Sequence, residues 1–166
     1  IRFAAVALAR KIFRRLEGRR VLIIGAGEIS TLTAEHLRAQ GVGEMVITSR
    51  TPAQAEALAD AVSGRAEPWA DFASLLGTAD VVVTATGSQR PILTRAQVEA
   101  TTGRHRSGPL FIIDLAVPRD VEASVGDIEQ VFLYNVDDLQ SIVQENLSRR
   151  TREIAHAETI VAEELD

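Results

Sequence analysis

The stretch Arg20-Val21-Leu22-Ile23-Ile24-Gly25-Ala26-Gly27-Glu28-Ile29-Ser30 constrains the fold of this chain more than any other. An apolar run too short for a helix drives straight into a pair of glycines. A helical pattern runs on from Glu28 to about Gln40, closed by Gly41. Strand, tight glycine turn and helix, in that order, are what a dinucleotide-binding βαβ unit requires. Gly25 permits the turn, and Gly27, lacking a Cβ, lets a pyrophosphate approach the backbone. The unpaired N–H groups and positive dipole end of the helix then face the phosphates. Ser30 stands where the pattern usually has a third glycine and is small enough to keep helix and strand close. The competing reading is a plain strand-to-helix turn that happens to use glycine.

The second strand, Glu44-Met45-Val46-Ile47-Thr48, runs into Ser49-Arg50-Thr51-Pro52. A site for NAD usually ends this strand in a carboxylate that accepts from the ribose 2′-hydroxyl, about 20 residues past the glycines. Here two hydroxyls flank a guanidinium instead. Arg50 can pair with a 2′-phosphate through its planar fork, and Ser49 and Thr51 can donate to the same oxygens, which favours NADP over NAD. The same residues also suit a helix N-cap before Pro52, with Arg50 a solvated charge.

Further along, Gln54 to Val62 is helical, and Ala66 to Trp69 can hold a short third strand, with Trp69 a packing residue rather than a nicotinamide stacker. Asp71 is placed to cap a brief helix ending at Leu76-Gly77. The β-branched run Asp80 to Thr84 reads as the fourth strand, past the crossover where doubly wound sheets open their binding crevice. Thr86, Gly87 and Ser88 then lie at its carboxyl end facing a cofactor, unless they form only a hydroxyl-stabilised turn. Next come a helix over 94–101, a polar loop over 103–108 and a buried strand Leu110 to Asp114. Asp114 suits either a sheet-end functional carboxylate or a cap for the next loop. Gln130 to Tyr134 makes a sixth strand, and Asp137-Asp138 would cap the helix after it. From Leu139 one helical stripe (Leu139, Val143, Leu147, Ile154, Val161, Leu165) runs to the end, longer than a domain needs to close itself. It reads as a connector to a partner domain or subunit, the alternative being that it folds back on the sheet. Residues 3–16 form a leading helix over one flank of the sheet.

The fold class is therefore α/β: a doubly wound, mostly parallel sheet with flanking helices and a long C-terminal helix. Residues 1–136 make the nucleotide-binding domain, including a leading helix over 1–17, and 137–166 begin the connector. The net charge of −5 argues against a phosphate-backbone binder. With no cysteine there is no disulfide, thiolate metal site or cysteine nucleophile in this chain. His36, His105 and His156 lack second ligands at metal spacing, so no metal is assigned. No apolar run nears the roughly 20 residues that cross a bilayer. A start at Ile1 inside a helical pattern, with Met45 the sole methionine, suggests a piece of a longer protein.

Taken together these stretches resemble the NADPH-binding domain of glutamyl-tRNA reductase. The pieces that carry the resemblance are 4–13, Gly25-Ala26-Gly27-Glu28, Ser49-Arg50-Thr51, Thr84-Ala85-Thr86-Gly87-Ser88, and above all Asp114-Leu115-Ala116-Val117-Pro118-Arg119-Asp120 with 134–139. Ser49 departs from the asparagine more usual there. The resemblance implies an NADPH site formed by Gly25, Ala26, Gly27, Glu28, Ile29, Ser30, Ser49, Arg50, Thr51, Thr86, Gly87, Ser88, Asp114 and Ala116. It implies no catalytic residue, because the cysteine that attacks glutamyl-tRNA belongs to an N-terminal domain. Hydride from NADPH then reduces the thioester to glutamate-1-semialdehyde in tetrapyrrole (porphyrin) biosynthesis, so this chain alone would bind cofactor without turnover. The long helix would be the spine toward a C-terminal dimerisation domain of a cytoplasmic homodimer. Two alternatives stand beside this: the cofactor domain of another NADP-dependent oxidoreductase, shikimate dehydrogenase-like, or a non-catalytic regulatory module of the same fold. The sole lysine, Lys11, lies in the leading helix, away from any lysine–aspartate catalytic pair.

Overall fold

Uninterrupted apolar strands need cover on both faces, and a computed structural model places the three most apolar ones mid-sheet. It describes residues 7, 16–102, 108–141, 144, 145, 147, 151 and 152. In chain order the elements are β1 (Arg20–Ile24), α1 (Glu28–Ala39), β2 (Glu44–Thr48), α2 (Pro52–Ala61), β3 (Arg65–Ala66), a 3₁₀ turn (Trp69–Asp71), α3 (Phe72–Leu75), β4 (Val81–Thr84), α4 (Arg95–Thr102), β5 (Leu110–Asp114), a second 3₁₀ turn (Ala123–Asp127) and β6 (Val131–Asn135). The six strands are ordered β3-β2-β1-β4-β5-β6, and every pairing is parallel. The order reverses between β1 and β4, the point where open α/β sheets leave a crevice outside their carboxyl ends.

Strand alternation sorts the core into two layers. Val21, Ile23, Met45, Ile47, Val81, Val83, Phe111 and Ile113 face α1 and α2, joined by Leu37, Leu58 and Leu139. Leu22, Ile24, Val46, Val82, Leu110 and Ile112 face the other way, against Phe72, Leu76, Leu93 and Val98. No helix among the described residues is long and apolar enough to cross a membrane.

Four local expectations are corrected. The third strand is Arg65–Ala66 rather than 66–69. Its ladder ends with the Glu67 N–H donating to the Ile47 carbonyl (2.9 Å), because Pro68 has no N–H to continue it. Asp71 stands at the N-cap of α3, yet its side chain makes no cap bond; instead its carbonyl accepts from Ser74 Oγ at 2.8 Å. The sixth strand runs one residue later than expected, through Asn135. The helix after it is capped by Asn135 together with Asp138, and not by Asp137: Asn135 Oδ1 accepts from the Asp138 N–H (3.0 Å) and Asp138 Oδ2 from the Asn135 N–H (2.9 Å). That reciprocal pair is a capping box.

Residues 136–141 are helical, Leu139 is fully buried against the first core layer, and Leu147 is 56% exposed. The rest of the expected stripe, the leading helix apart from Ala7, Leu16 and Glu17, and the loop at 103–107 lie outside the described residues.

Candidate functional site

The glycine turn is built by close approach of two strand exits. Gly25 has φ +108°, and a Cβ there would sit 2.6 Å from the Ala85 carbonyl oxygen. The crowding comes from the register. Ala85 N–H donates to the Ile24 carbonyl (3.0 Å) just past β4, while Gly25 N–H donates to Thr48 (2.8 Å). Gly27 is the N-cap of α1, has ordinary extended geometry, and a Cβ there would meet nothing within 4 Å. No side chain caps this helix, so the N–H groups of Glu28, Ile29 and Ser30 point out of its first turn without an intrahelical acceptor. Ser30 is fully buried beneath the turn. It fills the role of the third glycine by size. Glu28 and Ile29 are exposed on the same turn.

At the end of β2, Ser49 is nearly buried and its Oγ accepts from the Thr51 N–H at 3.1 Å, which folds the segment back toward α2. Thr51 is the N-cap of α2 with Pro52 after it, although its side chain makes no cap bond. Arg50 points outward and lies over the Trp69 ring, 5.0 Å from the centroid. Trp69 in turn packs on Phe72, centroids 5.1 Å apart. The sequence suits Trp69 to packing. The structure makes it a wall of the cleft as well, brought beneath Arg50 by the turn that Pro68 imposes.

The exits of β4 and β5 are tied by two buried carboxylates. Asp114 accepts from Thr84 Oγ1 (3.0 Å) and from the N–H groups of Ala116 (3.1 Å), Asp120 (3.0 Å) and Val121 (3.0 Å). Of the two readings left open for Asp114, the loop cap is the one observed. Its carboxylate is consumed internally and is not offered to a ligand, a correction to its place among the site residues. Ala116 is buried, with its N–H given to Asp114. Asp120, fully buried, accepts from both the N–H (2.8 Å) and the hydroxyl of Thr86, and Ser88 N–H donates to that hydroxyl at 3.2 Å. In the sequence Asp120 stands out only as part of a motif. Its role, holding the Thr86 to Ser88 loop in shape, depends on a contact 34 residues apart in sequence.

Burial holds the Asp120 carboxyl above the usual aspartate range. The Thr86 hydroxyl and N–H oppose this, nearby Asp114 adds to it, and Arg50 opposes it. A carboxyl whose folded pKa is raised binds protons more tightly folded than unfolded. Its contribution to stability therefore falls as pH rises from the ordinary aspartate range through the folded value, and is constant above. In Asp120→Asn the amide can serve both Thr86 groups without charge. The melting temperature of the wild type relative to this variant is expected to fall as pH rises through that window. A pH-independent difference would show that Asp120 carries no such strain.

These elements converge on a cleft of about 350 Å³ lined by Gly25, Ala26, Gly27, Ser49, Arg50, Thr51, Gln54, Trp69, Ala85, Thr86, Gly87 and Ser88. Glu28, Ile29 and Ser30, which follow Gly27 on the first turn of α1, do not line it, nor do Asp114 and Ala116. The volume is in the range of small-ligand sites. Its chemistry is that of a dinucleotide seat: open space at Gly27, unpaired helix N–H groups for phosphate, and a guanidinium held on an aromatic face at the far end.

A profile of the shikimate / quinate 5-dehydrogenase family matches residues 7–142. The chain is 43% identical over 165 residues to a glutamyl-tRNA reductase of Syntrophotalea carbinolica, covering 99% of this chain and 37% of that protein. It superposes on the glutamyl-tRNA reductase of Methanopyrus kandleri with TM-score 0.84 and 40% identity, over 98% of this chain and 41% of the other. A nucleotide-binding domain of glutamyl-tRNA reductase from Thermoplasma volcanium shares the fold, with TM-score 0.65 and 23% identity over 87% of this chain and 94% of that one. The chain thus spans between a third and a half of the full-length relatives it matches. By the family profile the chain belongs to the shikimate / quinate 5-dehydrogenase family, and it matches the nucleotide-binding region of glutamyl-tRNA reductases along its whole length.

Proposed function

We propose that this chain is the NADPH-binding domain of a glutamyl-tRNA reductase. The observation that carries the NADPH reading is Arg50: a guanidinium braced on Trp69 where β2 of an NAD site would present a carboxylate. The pyrophosphate lies against Gly27 and the N–H groups of Glu28, Ile29 and Ser30, where helix-end geometry suits an anion. Arg50 pairs with the 2′-phosphate, with the hydroxyls of Ser49 and Thr51 beside it. Thr86, Gly87 and Ser88 border the dinucleotide at the end of β4, in the shape Asp120 imposes. When bound, NADPH supplies the hydride that reduces a glutamyl thioester to glutamate-1-semialdehyde, a step of tetrapyrrole synthesis.

The rest of the machinery lies outside this chain, which has no cysteine to form that thioester. On this reading an N-terminal catalytic domain supplies the nucleophile and the glutamyl-tRNA contacts. The helix from residue 137 leads to a C-terminal dimerisation domain, and the whole enzyme is a cytoplasmic homodimer. Partial coverage of the relatives supports these missing parts.

Trp69, the sole tryptophan, lines the cleft and reports on it directly. Titrating the chain with each cofactor by Trp69 emission and calorimetry is expected to show NADPH binding tighter than NADH. Arg50→Ala is expected to cost about 1.5–3 kcal/mol of NADPH binding, the range for hydrogen bonds to charged groups, with NADH nearly unchanged. Equal affinities in the wild type would remove Arg50 from this role.

A further inference from the structure

Beside the dinucleotide cleft, and sharing Arg50, Trp69 and Ser88 with it, lies a second cavity of about 530 Å³. A second guanidinium, Arg90, lines it. The backbone there is anchored: Ser88 Oγ donates to the Arg90 carbonyl (2.7 Å), and the N–H groups of Ile92 and Leu93 donate to the Asp120 carbonyl (2.7 and 3.0 Å). Arg90 thus projects from a fixed stretch of chain.

Arg38 donates to the backbone carbonyls of Val62 and Val42. Arg20, Arg65, Arg95 and Arg119 each have a carboxylate within 3.3 Å. Arg50 and Arg90 form no ion pair among the described residues, yet both line one concavity of a chain whose net charge is −5. Two like charges gathered in a hollow repel unless an anion lies between them. The remaining wall sets Trp69, Phe72 and Ile92 beside the polar side chains of Ser88, Gln89 and Gln97. An aromatic base carrying a phosphate on its sugar matches that combination.

We propose that Arg90 is a second cation of the 2′-phosphate seat, acting with Arg50 to select phosphorylated over unphosphorylated dinucleotide. This rests on the NADPH reading above, but it assigns discrimination to the loop after β4 as well as to β2. The two arginines come from different elements, the exits of β2 and β4, and line the same cavity, so together they can hold a phosphate there.

The test is calorimetric titration of the chain, Arg90→Ala and Arg50→Ala with 2′,5′-ADP, ADP, NADPH and NADH. Arg90→Ala is expected to weaken 2′,5′-ADP and NADPH about tenfold, as loss of a charge-assisted hydrogen bond does. ADP and NADH should be unaffected, which also shows that the variant is folded. Arg90→Lys should recover part of the loss. If Arg90→Ala binds all four ligands like the wild type while Arg50→Ala loses the phosphorylated pair, the inference fails and the NADPH reading stands. A uniform loss across all four ligands also overturns it, since Arg90 would then act on the shared part of the molecule. If the wild type binds neither dinucleotide, the NADPH reading itself falls.

Discussion

Gly25→Val is expected to lose both stability and nucleotide binding, whereas Gly27→Val keeps the fold and loses only the nucleotide. The two glycines lie two residues apart and read alike in the sequence, but they are constrained by different things. At Gly25 the backbone has φ +108° and an added Cβ lies 2.6 Å from a backbone carbonyl, that of Ala85. Neither strand exit can retreat, since the Ala85 N–H is already bonded to Ile24 and the Gly25 N–H to Thr48. Strained backbone and clash together should cost roughly 3 kcal/mol or more. For a chain of this size that is a fall in melting temperature of about 6–12 °C. At Gly27 an added side chain has open space and unstrained backbone. Replacing an N-cap glycine should destabilise by no more than about 1 kcal/mol. The valine would, however, stand over the helix N-terminus in the volume a pyrophosphate needs, so NADPH and NADH should both be lost. Melting curves and titrations of the pair separate the two effects. Retained binding in Gly27→Val would mean the turn does not face the cofactor.

Asp114→Ala is the second large effect, and it acts at a distance from any ligand. The carboxylate is 1% exposed and serves four donors: the Thr84 hydroxyl and the N–H groups of Ala116, Asp120 and Val121. Truncation strands them in a site water does not reach. Each buried unsatisfied group costs about 1–3 kcal/mol, so relaxation and partial rescue still leave a loss of roughly 3–5 kcal/mol. Asp114→Asn discriminates the mechanism further. Its amide oxygen can face the N–H groups of Asp120 and Val121, and its NH₂ can donate to Thr84 Oγ1, but the Ala116 N–H then meets a donor. Asparagine should therefore keep more than half of what alanine loses. The loop that Asp114 holds also carries Asp120, the anchor of Thr86, so weakened cofactor binding should accompany the lower melting temperature. An Asp114→Ala protein that melts like the wild type would show that the carboxylate does not organise this loop.

Both cases mark where sequence reasoning reached and where it stopped. The first strand with its glycine turn, the second strand and the fifth were legible because each is a short apolar run ended by residues of distinctive backbone or charge preference. The placement of Arg50 came from its distance past the glycines. Asp114 was open between two roles because a carboxylate at a strand end suits a ligand or a loop equally, and only its four donors decide. Trp69, Arg90 and Asp120 were not legible as site residues. Their partners come from strands and turns remote in sequence, and nothing local marks them.

The sequence by itself determined the order of strands and helices, the parallel doubly wound class and the glycine turn after β1, because these depend on periodicity and on glycine, which act within a few residues. The tertiary structure alone decided which polar groups remain available. Two buried aspartates are spent on loop backbone and hydroxyl groups, while two arginines without a carboxylate partner among the described residues face the same hollow. That division is physical: an element's type is set by local backbone preference and burial pattern, but whether a charge is satisfied depends on what the folded sheet brings beside it.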